Sequence, residues 1–360
     1  MPGRYENEYE LFPNFLWWAR VFSVLVGTAT VLLVFQLASQ LLSYRTALIA
    51  ALLFAVLPLH VRISHYARHD AIFQFWVIWG MLRLAKAVNT EKVRHYALSG
   101  LMMGIASAVK YYGIILAPLI LFVFGRGVVG KKWKWHDRRI LVAAGFSLVG
   151  LFLFFPWVFI NPVEIVTDFL HRNNVEFKDS KHIGVLSSTQ NNYGSMLLRL
   201  PFLIGISIVT SVVGAVFLWR EKKYSILLIL LLPGVFSLIV QLWYRNHSIR
   251  YHLMFAAGLL VLSAYAIDLA FKWKKVAGVT LLAACFTWPF LLVLTSTEQL
   301  IRDGTREKSL AWVQSNLNPE HFIYLDPIVD RFTLCRGGRA NTSPNSQGFN
   351  AVYFNHMTNL

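Results

Sequence analysis

Charged residues are scarce in this chain of 360 residues. Asp, Glu, Lys and Arg together make up 14% of the sequence, whereas hydrophobic residues make up 56%. A soluble domain carries roughly 25% charged residues, so the shortage excludes that class and indicates an integral membrane protein. The apolar runs are about 17 to 25 residues long and do not alternate in the manner of barrel strands, which predicts helical spans.

Cysteine and acidic residues are also few. The two cysteines, Cys285 in an apolar run and Cys335 near the C-terminus, indicate neither a disulfide framework nor a zinc site. Acidic residues number 18 against 34 Lys and Arg, which gives a net charge of +16. Most of the positive charge lies in short segments between apolar runs, where it sets membrane orientation. We therefore predict no nucleic-acid partner.

About ten apolar runs have the length and composition of membrane spans. They cover residues 15–42, 47–64, 70–87, 95–110, 113–126, 140–160, 200–219, 224–243, 252–271 and 276–297. The pattern predicts an all-α fold, a polytopic transmembrane helix bundle. The fourth and fifth runs are short, and Gly113 with Pro118 predicts a broken or partly re-entrant pair. The first 14 residues are polar and lack the apolar stretch of a signal peptide.

Basic residues are concentrated in every second loop between the predicted spans. The clusters are Lys86, Lys92 and Arg94; Lys131, Lys132, Lys134, Arg138 and Arg139; Arg220, Lys222 and Lys223; and Lys272, Lys274 and Lys275. The positive-inside rule assigns these loops to the cytoplasm. The remaining segments are then predicted outside: residues 1–14, 60–70, 110–112, 161–200, 243–251 and the tail from 298. Asp268 is predicted to pair with the last basic cluster.

Two of the predicted outer segments carry a structural pattern of their own. Residues 161–200 contain the amphipathic stretch PVEIVTDFLHR, which predicts a helix lying on the membrane surface. The tail contains TREKSLAWVQSNL, a helix pattern, and HFIYLDP, a strand pattern. We therefore predict a small external αβ segment at the C-terminus.

The segment His60–Asp70, HVRISHYARHD, is the first candidate site. Ionisable residues at a membrane boundary are costly unless they face water, a partner or a ligand. In one interpretation Arg62 and Arg68 reach lipid headgroups and Asp70 caps the next span. In the other, Asp70 with its neighbours His65 and His69 belongs to a functional site, and Asp70 with His69 could hold a divalent metal such as Mg, Mn or Zn.

Two further outer segments carry basic candidates. Lys110 lies in GIASAVKYYGIILAP between two apolar half-spans, where it could reach the lipid surface or aim its ammonium at an anion. Arg245 and Arg250 flank a short turn that Tyr251 follows. Two such arginines could anchor to lipid headgroups or clamp a phosphate through their guanidinium groups.

Several stretches together resemble polytopic GT-C glycosyltransferases of the protein O-mannosyltransferase and aminoarabinose transferase branch. The stretch from ARVFSVLVGTATVLLV to HYARHDAIFQFW resembles the second to fourth spans of that group, and GIASAVKYYGIILAPLILF the next hairpin. NHSIRYHLMFAAGLLVLSAYAI resembles its late segment, and EKSLAWVQSNL the start of its external tail. The resemblance covers most of the chain in order.

The resemblance implies transfer of a sugar from a polyprenyl-phosphate donor to a glycan, lipid or protein acceptor. The reaction would take place on the outer face of a prokaryotic cytoplasmic membrane. Asp70 matches the acidic residue of the second outer loop and is the catalytic candidate. Lys110 and Arg250 match basic positions that could hold the donor phosphate, and Arg245 is a further candidate for that phosphate. Secondary candidates are His65, Arg68, His69, Tyr251, Glu6 and Glu8. The alternative is a non-enzymatic carrier or flippase of lipid-linked sugars, or an accessory membrane subunit.

One feature of the family is not matched. The family has a span before Trp17 and then an outer loop whose acidic motif supplies the usual catalytic base. The resemblance implies that residues 1–14 are a remnant of that loop, in which Glu6 and Glu8 lie close to the first span. Residues 15–297 would form the GT-C-like domain and residues 298–360 the external tail. If no acid takes the place of that motif, the enzyme is incomplete or inactive as written.

Overall fold

The computed structural model describes residues 6–65, 69–130, 137–165, 167, 204–244, 253–301, 315, 322–325 and 350–353. Within these ranges the chain is helical apart from short links and two short strands. It forms two compact units, residues 1–293 and residues 294–360. The predicted helical membrane architecture is confirmed at this level.

Seven of the described helices lie before residue 130. They are α1 (Glu6–Leu41), α2 (Tyr44–Ala55), α3 (Pro58–His65), α4 (His69–Thr90), α5 (Val93–Val109), a 3₁₀ helix (Tyr111–Leu116) and α6 (Ala117–Val129). The helices that follow are α7 (Arg138–Phe154), α8 (Trp157–Ile160), α9 (Ser207–Arg220), α10 (Tyr224–Tyr244), α11 (Leu253–Trp273) and α12 (Lys275–Ile301).

Four of the described helices are long and apolar enough to cross a membrane. These segments are Trp17–Leu41, His69–Thr90, Phe255–Trp273 and Lys275–Thr297. Helices α2 and α3 meet at an angle of 57° and count as a fifth if they form one bent span. Shorter apolar helices cover Gly113–Val129, Ser207–Arg220 and Tyr224–Ile239. The count of about ten spans therefore stays a prediction.

The break between α2 and α3 has a local cause in the sequence. Pro58 is the first residue of α3. Proline has no backbone N–H and its ring clashes with the preceding turn, so a helix cannot run through it undisturbed. The predicted single span 47–64 is therefore two helices, and the bend carries α3 toward the start of α4.

Glycines allow neighbouring helices to approach closely. A Cβ at Gly100 would lie 2.0 Å from the carbonyl oxygen of Ala143, and one at Gly104 would lie 2.0 Å from that of Ser147. These contacts join α5 to α7, and Gly258 meets the Leu230 carbonyl of α10 in the same way. Small residues at such crossings are typical of helix packing in membranes.

Helix α4 lies at the centre of the first unit, where it contacts α1, α5, α6 and the 3₁₀ helix. Its buried positions include Val77, Ile78, Met81 and Leu84, together with two polar residues, Asp70 and Gln74. Because Asp70 and Gln74 are four positions apart, they lie one above the other on the same face of the helix. The α4 helix therefore carries a polar segment into the packed interior.

Two short strands form the described part of the second unit beyond α12. Strands β1 (Phe322–Leu325) and β2 (Asn350–Tyr353) pair in parallel, with Phe322 opposite Asn350. The β1 strand lies within the HFIYLDP stretch. The amphipathic stretch of the tail lies outside the described residues except for Ser315, which is helical, and most of 161–200 also lies outside them. The αβ segment and the surface helix stay predictions.

Candidate functional site

The ammonium group of Lys110 donates a hydrogen bond to Oδ1 of Asp70. Both groups are buried, since the side chain of Lys110 is 8% exposed and that of Asp70 is 6% exposed. Two of the residues singled out in the sequence therefore meet in one place, although 40 positions separate them. An acid and a base at this depth in a membrane protein are rare and mark functional positions.

Secondary structure fixes each partner of this pair. Asp70 lies in the first turn of α4, where free backbone N–H groups and the helix dipole favour a carboxylate. Lys110 directly follows α5, and its backbone is extended, with φ −152° and ψ 133°. Its N–H donates to the Ala106 carbonyl over 2.8 Å, and its own carbonyl accepts from the N–H of Gly113 over 2.8 Å.

Gly113 allows the chain to fold back after Lys110. A Cβ at this position would lie 2.1 Å from the backbone nitrogen of Ser107, so only glycine fits between the 3₁₀ helix and the end of α5. The predicted break between two half-spans is thus a single extended residue followed by a 3₁₀ helix. This geometry points the Lys110 side chain back toward α4 instead of along α5.

An aromatic ring borders the ion pair. The ammonium nitrogen of Lys110 lies 5.9 Å from the ring centroid of Phe73, within the range of a cation–π contact. Phe73 and Asp70 are three positions apart and share one face of α4. The ring excludes water from one side of the pair, which strengthens the attraction between its charges.

A second buried polar pair lies one turn further along α4. Nδ1 of His60 on α3 is 3.2 Å from Oε1 of Gln74, and both residues are buried. The ring of Phe54 packs 4.4 Å from the imidazole, and the Ser64 hydroxyl donates to the His60 carbonyl over 2.9 Å. This pair ties α3 to α4 directly below Asp70.

Gln74 was not among the sequence candidates. The signal available was a polar amide within the apolar stretch AIFQFW, four residues after Asp70. A buried amide needs hydrogen-bond partners, so its position in a span already indicated a polar contact.

The other predicted candidates within the described residues are not shown in contact with the pair. His65 and His69 are exposed, and Nδ1 of His65 donates to the Val61 carbonyl over 2.8 Å. Arg62 is exposed on α3, and Glu6 and Glu8 belong to the first turns of α1. The remaining candidates fall outside the described residues: Arg68, Arg245, Arg250 and Tyr251.

The described residues do not supply a ligand set for a divalent metal at this site. Asp70 is buried with its Oδ1 on Lys110, whereas His69 is exposed at the first position of α4. Across the part of the chain that the structure describes, no three or more His, Cys, Asp and Glu side chains gather as a metal site would require. Among the described residues, the predicted metal ligands Asp70 and His69 gain no third ligand.

A separate carboxylate lies in the link between α9 and α10. Oε2 of Glu221 is 2.7 Å from the Lys223 ammonium, and its Oε1 accepts from the Tyr265 hydroxyl over 2.6 Å. The hydrogen bond from Lys223, followed by that from Tyr265, lowers the pKa of Glu221 below its ordinary value. Glu221 is not one of the candidate site residues, and its lowered pKa predicts how the stability of the fold depends on pH.

Comparisons with known proteins place the site within a recognised stretch. A family model described as dolichyl-phosphate-mannose-protein mannosyltransferase matches residues 8–160, which include Asp70 and Lys110. A curated relative, GPI mannosyltransferase 1 of Eremothecium gossypii, is 26% identical over 247 residues, covering 64% of this chain and 58% of that protein.

A solved structure shares the fold. The oligosaccharyltransferase of Archaeoglobus fulgidus, crystallised with Zn and sulfate, aligns with a TM-score of 0.54 and 17% identity. The alignment covers 83% of this chain and 44% of that one. The chain thus spans little more than half the length of the curated relative and less than half of the solved structure.

Proposed function

We propose that this chain is a membrane glycosyltransferase of the GT-C type, which transfers a sugar from a polyprenyl-phosphate donor to an acceptor on the outer face of the membrane. The observation that carries the proposal is the buried Asp70–Lys110 pair within the matched residues 8–160. The two sequence matches are both named for mannosyl transfer, so mannose is the sugar to test first.

The proposed reaction is a displacement at the anomeric carbon of the donor sugar. The acceptor hydroxyl oxygen forms a bond to that carbon while the bond from the carbon to the phosphate oxygen breaks. The bonding electrons leave with the polyprenyl phosphate, and the acceptor proton passes to the carboxylate of Asp70. General base catalysis of this kind contributes about 10²- to 10⁴-fold to a rate.

Lys110 is proposed to hold the donor phosphate. An ammonium has three N–H donors, so one group can bond both the Asp70 carboxylate and a phosphate oxygen. Negative charge grows on the leaving phosphate as its bond to the sugar breaks, and a cation fixed beside it stabilises that charge without reorganisation. The burial of Lys110 supports this role, since the attraction is stronger where water is excluded.

Arg250 and Arg245 are proposed as further phosphate ligands, with Tyr251 beside them. These residues follow α10 and precede α11, and the proposal for them rests on their guanidinium chemistry and on the family resemblance. Their contribution is tested separately from that of Lys110, as described below.

The decisive experiment measures release of polyprenyl phosphate from a radiolabelled polyprenyl-phosphate mannose. Membranes carrying the full chain are compared with membranes carrying Asp70→Asn at the same amount of folded protein. We expect release in the first and a loss of at least about 100-fold in the second. Asp137→Asn is the matched control, because Asp137 also starts a helix and pairs with a cation, Arg139, over 2.8 Å.

Three outcomes contradict the proposal. Full activity of Asp70→Asn would remove Asp70 from the catalytic role. Movement of the labelled donor across the membrane without release of polyprenyl phosphate would favour a carrier. Absence of both activities in membranes that contain the donor and candidate glycan, lipid and protein acceptors would favour an accessory subunit.

A further inference from the structure

A second buried carboxylate organises the far ends of α2 and α11. Asp268 is 1% exposed, and its Oδ2 accepts from the Ser43 hydroxyl over 2.8 Å and from the Thr46 hydroxyl over 3.1 Å. Ser43 also caps α2 by accepting from the Thr46 N–H over 3.1 Å. Asp268 is therefore held at the N-terminus of α2, where the helix dipole favours a negative charge.

Two exposed cations share this one carboxylate. The Lys272 ammonium lies 3.1 Å from Oδ2, and a guanidinium nitrogen of Arg45 lies 3.7 Å from Oδ1. The side chains of Lys272 and Arg45 are 57% and 58% exposed. One buried carboxylate thus faces two cations. The excess positive charge lies on the exposed side chains of Arg45 and Lys272.

The guanidinium of Arg45 is held in place by the protein, but it keeps N–H groups that can bind a ligand. Its Cζ lies 5.8 Å from the ring centroid of Phe271, which supports it from one side. At 3.7 Å its contact with Asp268 is longer than a hydrogen bond. A planar fork of N–H donors in this state matches the oxygens of a phosphate group.

Two exposed aromatic residues and one further lysine adjoin these two cations in the sequence. Tyr44 and Trp273 are exposed beside Arg45 and Lys272, and the ammonium of Lys274 lies 5.1 Å from the Trp273 ring centroid. We call Tyr44, Arg45, Lys272, Trp273 and Lys274 the basic–aromatic patch. Tyrosine and tryptophan prefer the headgroup level of a bilayer, so the rings place the cations at that level.

The basic–aromatic patch lies at the opposite end of the bundle from Asp70. The two regions are joined through α2, which has 12 residues, and α3, which has 8. At 1.5 Å of rise per residue these helices are about 18 Å and about 12 Å long. Since α2 begins at the patch and α3 ends beside α4, the patch and the Asp70–Lys110 pair lie at opposite ends of the segment that α2 and α3 form.

We propose that the basic–aromatic patch binds the phosphate headgroup of an anionic glycerophospholipid. Arg45 and Lys274 supply donors to the phosphate, while Trp273 and Tyr44 pack against the glycerol and the upper acyl chains. Lys272 remains mainly with Asp268 and keeps the carboxylate compensated when the lipid binds. The rings distinguish a lipid from free phosphate, because a bare ion has no apolar part to contact them.

The test titrates the full chain in detergent with a short-chain phosphatidylglycerol and counts bound lipid by native mass spectrometry. Phosphatidylcholine of the same chain length is the zwitterionic reference. We expect phosphatidylglycerol to bind about tenfold more tightly than phosphatidylcholine, and Arg45→Gln/Lys274→Gln to remove that preference. This variant retains Lys272, Ser43 and Thr46 on Asp268, and its melting temperature without lipid should equal that of the parent chain.

Arg138→Gln/Arg220→Gln is the matched control. It removes the same charge from two exposed arginines, one at the start of α7 and one at the end of α9. We expect it to change the phosphatidylglycerol affinity by less than about twofold. An equal loss of phosphatidylglycerol affinity in both double variants would mean that the preference depends only on the net charge of the protein. Equal binding of the two lipids, or displacement of the lipid by an equimolar amount of inorganic phosphate, would overturn the proposal.

Discussion

Lys110 reaches back across 40 positions to the carboxylate of Asp70, so the residue after α5 is joined to the first turn of α4. Both side chains are almost fully buried. An ion pair at this depth is weak evidence of stabilisation in itself, but the loss of one partner leaves the other charge buried and uncompensated. Stability and catalysis can therefore be separated by experiment at this pair.

Lys110→Met should destabilise the protein by about 3 to 5 kcal/mol, because it leaves the Asp70 carboxylate without its cation. Asp70→Asn/Lys110→Met should restore much of that loss, since neither charge remains. Both variants should be inactive in the polyprenyl-phosphate release assay. Thermal unfolding in detergent and the release assay together form the double-mutant cycle. If Asp70→Asn/Lys110→Met regained activity together with stability, the pair would have a structural role only.

Arg250→Gln should weaken binding of the polyprenyl-phosphate donor while leaving the melting temperature unchanged. A charge-assisted hydrogen bond contributes about 1.5 to 3 kcal/mol, which corresponds to a loss of at least about tenfold in affinity for the donor. Arg245→Gln is measured in parallel, and the KM for the donor is the readout. A KM unaffected by either substitution would remove this turn from the phosphate site.

Gln74→Leu should cost about 1 to 3 kcal/mol, because Nδ1 of the buried His60 loses the amide that lies 3.2 Å away. His60→Phe/Gln74→Leu replaces both partners by apolar groups and should cost much less than the sum of the two single changes. Thermal unfolding of the two single variants and the double variant gives the coupling. Additive losses would mean that the two side chains do not act on each other.

Gly104→Ala should destabilise the contact between α5 and α7 by about 1 to 3 kcal/mol, since the new Cβ would lie 2.0 Å from the Ser147 carbonyl oxygen. Gly145→Ala is the matched control on α7, where nothing lies within 4 Å of the new Cβ. It should stabilise the helix by about 0.5 to 1 kcal/mol. Thermal unfolding of the two variants is the measurement. A lower melting temperature for Gly104→Ala and a higher one for Gly145→Ala would support the close approach of α5 and α7.

Glu221 should stabilise the folded chain at neutral pH and lose that effect in acid. Its pKa is lowered by the hydrogen bonds from Lys223 and Tyr265, so its contribution is present above the ordinary carboxyl pKa and disappears as the pH falls through the lowered value. The contribution is below about 1 kcal/mol because the group is largely exposed. The melting temperatures of the parent chain and Glu221→Gln should differ at pH 7 and converge in acid. Tyr265→Phe should move the convergence to higher pH, and a difference independent of pH would contradict the assignment.

Much of the architecture could be predicted from composition and apolar run length. The shortage of charge identified a helical membrane protein, and the family resemblance to GT-C glycosyltransferases is confirmed by the sequence and fold comparisons. Asp70 and Lys110 were both singled out because charge in an apolar context is costly. Their contact could not be predicted, since it depends on how α4 packs against α5 and on the extended backbone at Lys110.

The bend between α2 and α3, the start of α1 and the role of Gln74 could not be predicted from the lengths of the apolar runs. The bend of 57° between α2 and α3 follows from Pro58, but an apolar count treats 47–64 as one span. The helix α1 begins at Glu6, before the apolar run at 15, because hydropathy records where lipid contact begins and not where helical hydrogen bonding begins. Gln74 was missed because its neighbours are apolar, although the buried His60 explains it.

The two-residue link between α4 and α5 gives the ion pair a further consequence. The chain is joined covalently at Glu91 and Lys92 at one end of these antiparallel helices, and Asp70 with Lys110 joins them at the other. The carboxylate lies at the positive end of one helix dipole and the ammonium follows the negative end of the other, so charges and dipoles both cancel there. The two charges at the open end of this hairpin therefore compensate each other, and the cost of holding both groups in an apolar environment falls accordingly.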